Sequence, residues 1–292
     1  MPRMRRLSLA VAIPFPALGT AAAPAVAAPP NTWYGGGEVV AAEAGKDFPG
    51  RAGDSNVSLV TGKDASKLDV AASAIVACPD GNTREVYGSG DATVGADGSF
   101  TLTERRTSGK GEDRFVTELS LTGRFESDQR ASGTITASST GEGKTCSGPA
   151  TFVSTTLPKK LGRKPVAPPA NTVLRGLVGG TGLFDVVLRT SADAKRVVRA
   201  NFTLPWRCNG KKGDDVFYEP GAAIRSNGTF TIDERWTTKY SNGTERGRVV
   251  VRGVFVSGGV LGTVRATTTT KSKRGRVLGR CTSGSRGFAA VP

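Results

Sequence analysis

The sequence predicts an all-β chain made of two tandem, homologous antiparallel β-sandwich domains. Three observations carry this. The phrase "GSFTLTERR" (98–106) returns as "GTFTIDERW" (228–236). β-branched and aromatic residues alternate with polar ones through most of the chain, and no segment holds a helical period over eleven residues. Four cysteines fall at matching places in the two copies.

In chain order, residues 1–27 read as an export signal. Arg3, Arg5 and Arg6 make a basic start, a short Ala-rich apolar stretch follows, and Ala25-Val26-Ala27 is a small-x-small cleavage site. No stretch of about 18 apolar residues follows, so no transmembrane span is expected. Residues 28–157 form the first copy and 174–292 the second. Between them, 158–173 is a linker rich in proline and basic residues, expected to act as a semi-stiff spacer. The first copy carries extra residues around 41–53, expected to form a surface loop.

The copies align at an offset of 130, which sets Cys78 on Cys208 and "ELSLTGRF" (118–125) on "RVVVRGVF" (248–255). Six to eight antiparallel strands per copy are expected, joined by turns at Asp97-Gly98, Asn209-Gly210, Asn227-Gly228 and Asn242-Gly243. Parity puts Phe202, Leu204, Trp206 and Cys208 on one face, as it does Ala72, Ala74, Val76 and Cys78. Each cysteine therefore faces a core. Of three possible connectivities, only Cys78–Cys146 with Cys208–Cys281 is the same in both copies. Each bridge closes a loop worth on the order of 4 kcal/mol. Pro205 predicts an edge or a bulge in its strand, which favours a sandwich. A small up-and-down barrel is the alternative. The sequons at Asn56, Asn201, Asn227 and Asn242 read as strand and turn residues.

The chain has no histidine, which excludes Ser-His-Asp and Cys-His catalysis and imidazole metal sites. The cysteines occur singly, so no zinc site is expected, and no cofactor motif is present. Glu104 and Glu234 share parity with core residues, which is unusual for a carboxylate. A glycosidase needs a second acid facing the first. Glu112, Asp113 and Glu118 are at hand in the first copy, but the last two align with Gly243 and Arg248 in the second. The glutamates are expected to be structural, paired with an arginine, and the protein is expected not to be an enzyme. A carbohydrate-active hydrolase using Glu104 or Glu234 is the alternative.

Charge separates the copies. Residues 28–157 have 12 basic against 17 acidic residues, and 174–292 have 21 against 8. The densest run, "KSKRGRVLGR" (271–280), is an insertion that reads as a hairpin tip. Lys271, Lys273, Arg274, Arg276 and Arg280 there are the candidate binding residues. Their partner would be an anionic polymer: a cell-wall phosphate polymer, an acidic polysaccharide or extracellular nucleic acid.

The closing pattern G-x-F … G-T-x-x-A … C-x-[SG]-G … F occurs as Gly123/Phe125, Gly133, Cys146 and Phe152, and again as Gly253/Phe255, Gly262, Cys281 and Phe288. It resembles that of uncharacterised secreted β-rich proteins of actinobacteria, which implies a compartment and a fold type and no known activity. The function expected is that of a secreted or cell-envelope-associated, non-catalytic two-domain binding protein. Structural spacer domains are a third reading.

Overall fold

The ladders follow the alternation. The computed structural model describes residues 28–40, 50–109, 114–158, 160–179, 183–241 and 243–292. The export signal, most of the expected 41–53 loop, and Glu112, Asp113 and Asn242 lie outside the described residues. The first copy forms β1 (Trp33–Glu38), β2 (Ser55–Thr61), β3 (Lys67–Ala77), β4 (Thr83–Thr93), β5 (Ser99–Ser108), β6 (Phe115–Ser127), β7 (Arg130–Gly141) and β8 (Lys144–Thr155). The second forms β9 (Val173–Val178), β10 (Asp185–Thr190), β11 (Arg196–Cys208), β12 (Lys211–Ala223), β13 (Thr229–Tyr240), β14 (Gly243–Val256), β15 (Gly259–Ser272), β16 (Val277–Thr282) and β17 (Arg286–Val291).

Each copy is one antiparallel sheet, ordered β4-β3-β2-β1-β8-β7-β6-β5 and β12-β11-β10-β9-β17-β15-β14-β13. The order is a sequential meander whose last strand returns to the first. The sheet bends so that its two halves face each other across a core, with β3 also touching β8. The inner faces meet through Tyr34 and Phe125, with ring centroids 5.2 Å apart, and through Phe202 and Phe288, 5.4 Å apart. Gly133 and Gly262 of the closing pattern sit where a Cβ would come within 2.1 and 2.4 Å of a neighbouring strand's carbonyl, with Phe152 or Phe288 packed beside it. The disulfides Cys78–Cys146 and Cys208–Cys281 tie β3 to β8 and β11 to β16.

Two features differ from expectation. The described residues of the second copy form nine strands, one above the range, because the last strand is interrupted at Ser283. The Ser283 hydroxyl accepts the Ala266 N–H at 2.8 Å. As a result β16 and β17 together occupy the place of β8. Pro205 lies on β11, which is an inner strand. It is accommodated because the β10 pairing stops at Phe202 and the β16 pairing begins only at Arg207. On that side, proline meets a gap in the ladder rather than a neighbour.

The copies also stack on each other. Val57 pairs with Gly36 as Val186 pairs with Gly176, so Asn56 and Asp185 occupy equivalent positions. These two meet, the Asn56 amide donating to Asp185 Oδ1 at 3.2 Å. A Cβ on Gly35 would lie 2.2 Å from the Gly176 carbonyl, and one on Gly36 would lie 3.1 Å from Arg175 Cβ. Each position thus touches its partner's neighbour, which is the pattern of an isologous two-fold contact held within one chain.

The contact is polar and buried. Arg175 pairs with Glu38 at 2.6 Å and donates to the Gly37 carbonyl, and Arg199 pairs with Asp54, which is wholly buried. The Tyr218 hydroxyl sits 3.2 Å from Ser73 Oγ and donates to Glu85 at 3.0 Å. The expected spacer is also engaged with the second copy. Gly162 donates to Ser257, and Val166 donates to Phe255.

Candidate functional site

The repeated glutamate has different surroundings in the two copies. Glu104 accepts the Ser89 N–H at one oxygen and pairs with Arg106 at the other, both at 2.5 Å. Arg106 also donates to the Ser89 hydroxyl and lies over the Tyr87 ring, 5.1 Å from its centroid. The arginine partner is thus two residues along the same face. Arg105 points to the opposite face and pairs with Glu118 at 3.1 Å. Glu104 rests over Gly88, whose Cβ would stand 3.0 Å from its oxygen. This is a closed structural cluster.

In the second copy the cluster is dismantled. Phe202 pairs with Phe217 as Ala72 pairs with Gly88, so Phe217 stands in place of Gly88 and Glu219 in place of Gly90. Arg106 becomes Trp236, and Val76 becomes Trp206. Larger side chains now line the seam between β12 and β13, and a cleft of about 600 Å³ opens there. Trp206, Phe217 and Trp236 form its aromatic side, with Trp206–Phe217 centroids 5.3 Å apart and Phe217–Trp236 centroids 6.3 Å apart. Asp215, Glu219 and Glu245 line it from the second copy and Glu85 from the first. Glu219 is 4% exposed, and its Oε2 has no hydrogen-bond partner among the described residues. Burial, then the like charge of Glu234, pushes the Glu219 carboxyl up to about 7. Burial also holds Glu85 at about 7, with Asp215 adding to the rise and the Tyr218 hydroxyl opposing it.

The five residues of the 271–280 run are exposed, on the hairpin between β15 and β16, whose turn closes through Ser272 and Arg276. None of the five is in an ion pair among the described residues. They continue a basic stripe that the charge run alone does not reveal. Arg246, Arg248 and Arg252 share the outer face of β14, and Arg265 and Lys271 share that of β15, while Val249 and Val251 between them point into the core. Arg248, Arg252 and Arg265 border a groove of about 410 Å³ with Thr263, Thr267 and Ser285. Asp233 holds Arg248 through two bonds, at 2.6 and 2.7 Å. Arg246, Arg252 and Arg265 have no such partner among the described residues. The corresponding positions in the first copy are Val116, Glu118, Thr122 and Thr136. The signal was present in "RGRVVVRG" (246–253), where arginines alternate with core residues.

Asn56 and Asn201 are buried strand residues, and Asn227 sits in a turn, where its side chain accepts the Thr229 N–H. No helix among the described residues is long and apolar enough to cross a membrane. Comparison with protein-family models, with curated proteins and with solved structures finds no match.

Proposed function

We propose that the protein is an exported, non-catalytic binding protein that holds anionic polymers along the basic outer face of its second domain. The observation that carries this is the alignment of Arg246, Arg252 and Arg265 on one face with the 271–280 tip, where the first copy is neutral or acidic. From Arg265 to Lys271 the stripe runs about 20 Å at the usual strand rise. A chain of phosphates or sulfates can therefore contact several guanidiniums at once. The stripe has no aromatic residue, so it offers charge rather than base stacking. Export is supported by the leader and by two disulfides that a reducing compartment would not maintain.

The test is a salt titration of the full chain on polyphosphate, heparin and single-stranded DNA. Eight contacts, three from the sheet and five from the tip, predict a slope of log affinity against log salt of about −5.5 to −7. Replacing Lys271, Lys273, Arg274, Arg276 and Arg280 with serine should reduce it to about −2 to −3. A slope that the serine variant leaves unchanged would show that the tip takes no part.

A second reading has one observation behind it. Glu234, alone among the sequence candidates, has a second carboxylate near it, Glu219, whose pKa its charge helps to raise. A raised acid beside another carboxylate is the pairing a glycoside hydrolase uses. Against this, Glu234 is not among the residues that line the cleft. Hydrolysis of chromogenic glycosides that disappears in both Glu219→Gln and Glu234→Gln would establish the hydrolase. Activity surviving either change would end that reading.

A further inference from the structure

We propose that the cleft beside β12 binds an organic ammonium ion, a primary or methylated amine carried on an apolar body. Among the described residues its lining includes no lysine or arginine, in a domain where basic residues outnumber acidic ones 21 to 8. Four carboxylates line it, Asp215, Glu219 and Glu245 from one copy and Glu85 from the other, beside the rings of Trp206, Phe217 and Trp236. Glu219 is the telling member. A buried carboxylate oxygen with no donor is costly, and Glu219 Oε2 has none among the described residues. Among the described residues no three acids converge closely enough to hold a metal ion, so a bare cation is a poor fit. A cation that spreads over several ångströms suits the spacing. Its charge would answer Glu219, and its apolar groups would lie on the rings, where a positive charge is attracted to the π face. The anionic polymer proposed for the outer face would be repelled here. The two surfaces therefore select opposite charges, and this site stands whether or not the stripe does.

Burial and the acids around it set the pH behaviour of Glu219. Glu234 on β13 acts on it directly, and Asp215 on its own strand, Glu245 on β14 and Glu85 across the contact between the copies line the same cleft. With Glu219 held near 7, its charge is largely absent at pH 5.5 and present at pH 8. Ammonium binding should therefore strengthen as pH rises.

The experiment is a tryptophan-emission titration of the full chain with benzyltrimethylammonium, with benzyl alcohol as the neutral control, at constant ionic strength. The expected result is saturable quenching at pH 8, an affinity at least tenfold lower at pH 5.5, and no saturable response to benzyl alcohol. Glu219→Gln keeps the shape and should reduce affinity at pH 8 severalfold, towards the wild-type level at pH 5.5, where Glu85 is protonated as well. Glu245→Gln, at the more open rim, should weaken binding severalfold and decides the matter if the first variant does not fold. Equal binding of benzyl alcohol, pH-independent affinity, or an unchanged affinity in the variant that folds would overturn the proposal. Polyphosphate binding, measured alongside, should be the same in both variants, which separates this site from the stripe.

Discussion

Replacing Arg199 with alanine is expected to destabilise the protein by about 3–5 kcal/mol, the cost of leaving a buried partner charge unpaired. Arg199 reaches from β11 across the domain contact to Asp54, which has no exposed surface. Asp54 also accepts the N–H groups of Val40 and Arg51, so it cannot turn away to water when the guanidinium is lost. The pair itself contributes less than its rupture suggests. Two buried charges lose hydration on folding, and Arg199 Nη1 finds no partner among the described residues. A double change, Asp54→Asn with Arg199→Met, keeps the acceptor for Val40 and removes both charges, so it should recover most of the loss. Urea unfolding of the three proteins measures this. A loss under about 1 kcal/mol for Arg199→Ala is what an exposed pair gives, and it would mean that the two sheets do not stack in solution.

The stacking was not legible in the sequence, for a physical reason. Alternation tells inner face from outer face, and the inner faces follow it: Phe202, Leu204 and Cys208 point inward as their parity requires. The outer faces of β2, β3 and β11 carry Asn56, Ser58, Ser73, Asn201 and Thr203, which any strand could show to water. They are buried because another polar sheet covers them. Nothing within a single copy signals that. The disulfides were legible because only one pairing repeats, and the meander was legible from its turns. Asn209 and Gly210 both take positive φ, as a two-residue hairpin requires.

The sites were less completely legible. The tip was visible as a charge run, but the stripe beneath it is spread over two strands and becomes one surface only through the β14–β15 ladder. The cleft was hidden by a one-residue difference. A constant offset of 130 sets Glu219 against Ser89, yet the β11–β12 hairpin is a residue shorter than its counterpart. Glu219 therefore replaces Gly90, on the inner face. The exchange of two glycines for Phe217 and Glu219, with two new tryptophans nearby, was the available signal. The charge total concealed it, because the acids of the cleft are few against the arginines outside.

Stability should fall as pH rises from about 4.5 to about 7, the reverse of the usual acid-side behaviour. Three carboxyls are responsible. Asp185 is pushed from 3.8 up to about 6 by burial, and Glu85 and Glu219 from 4.5 up to about 7. In each case the folded protein holds its proton more tightly than the unfolded chain. The stabilisation is full below the unfolded value and disappears as pH climbs through the folded one. Asp54 moves in the same direction, because burial outweighs Arg199. A carboxyl whose pKa folding raises by one contributes about 1.4 kcal/mol, so the three together amount to several kcal/mol.

Two effects oppose this. Asp80 is held at about 2 chiefly by its bond to Lys144, and Asp64, Asp97, Glu126, Asp193 and Asp233 are lowered chiefly by side-chain hydrogen bonds. These groups stabilise above their unfolded values and lose that stabilisation as pH falls below them, so stability declines again on the acid side. Net positive charge also grows on acidification of a chain already at +15. That repulsion is among exposed groups and is screened beyond about 8 Å at 0.15 M salt, whereas the buried carboxyls are not screened. The buried groups should therefore prevail at that ionic strength. Calorimetric melting between pH 4.5 and 8 in 0.15 M salt should show Tm decreasing, with most of the fall between pH 5 and 7. Asp185→Asn and Glu85→Gln should each flatten the curve. A Tm that rises across this range in the wild-type chain would show that these carboxyls reach water, and with it that the contact between the sheets is open.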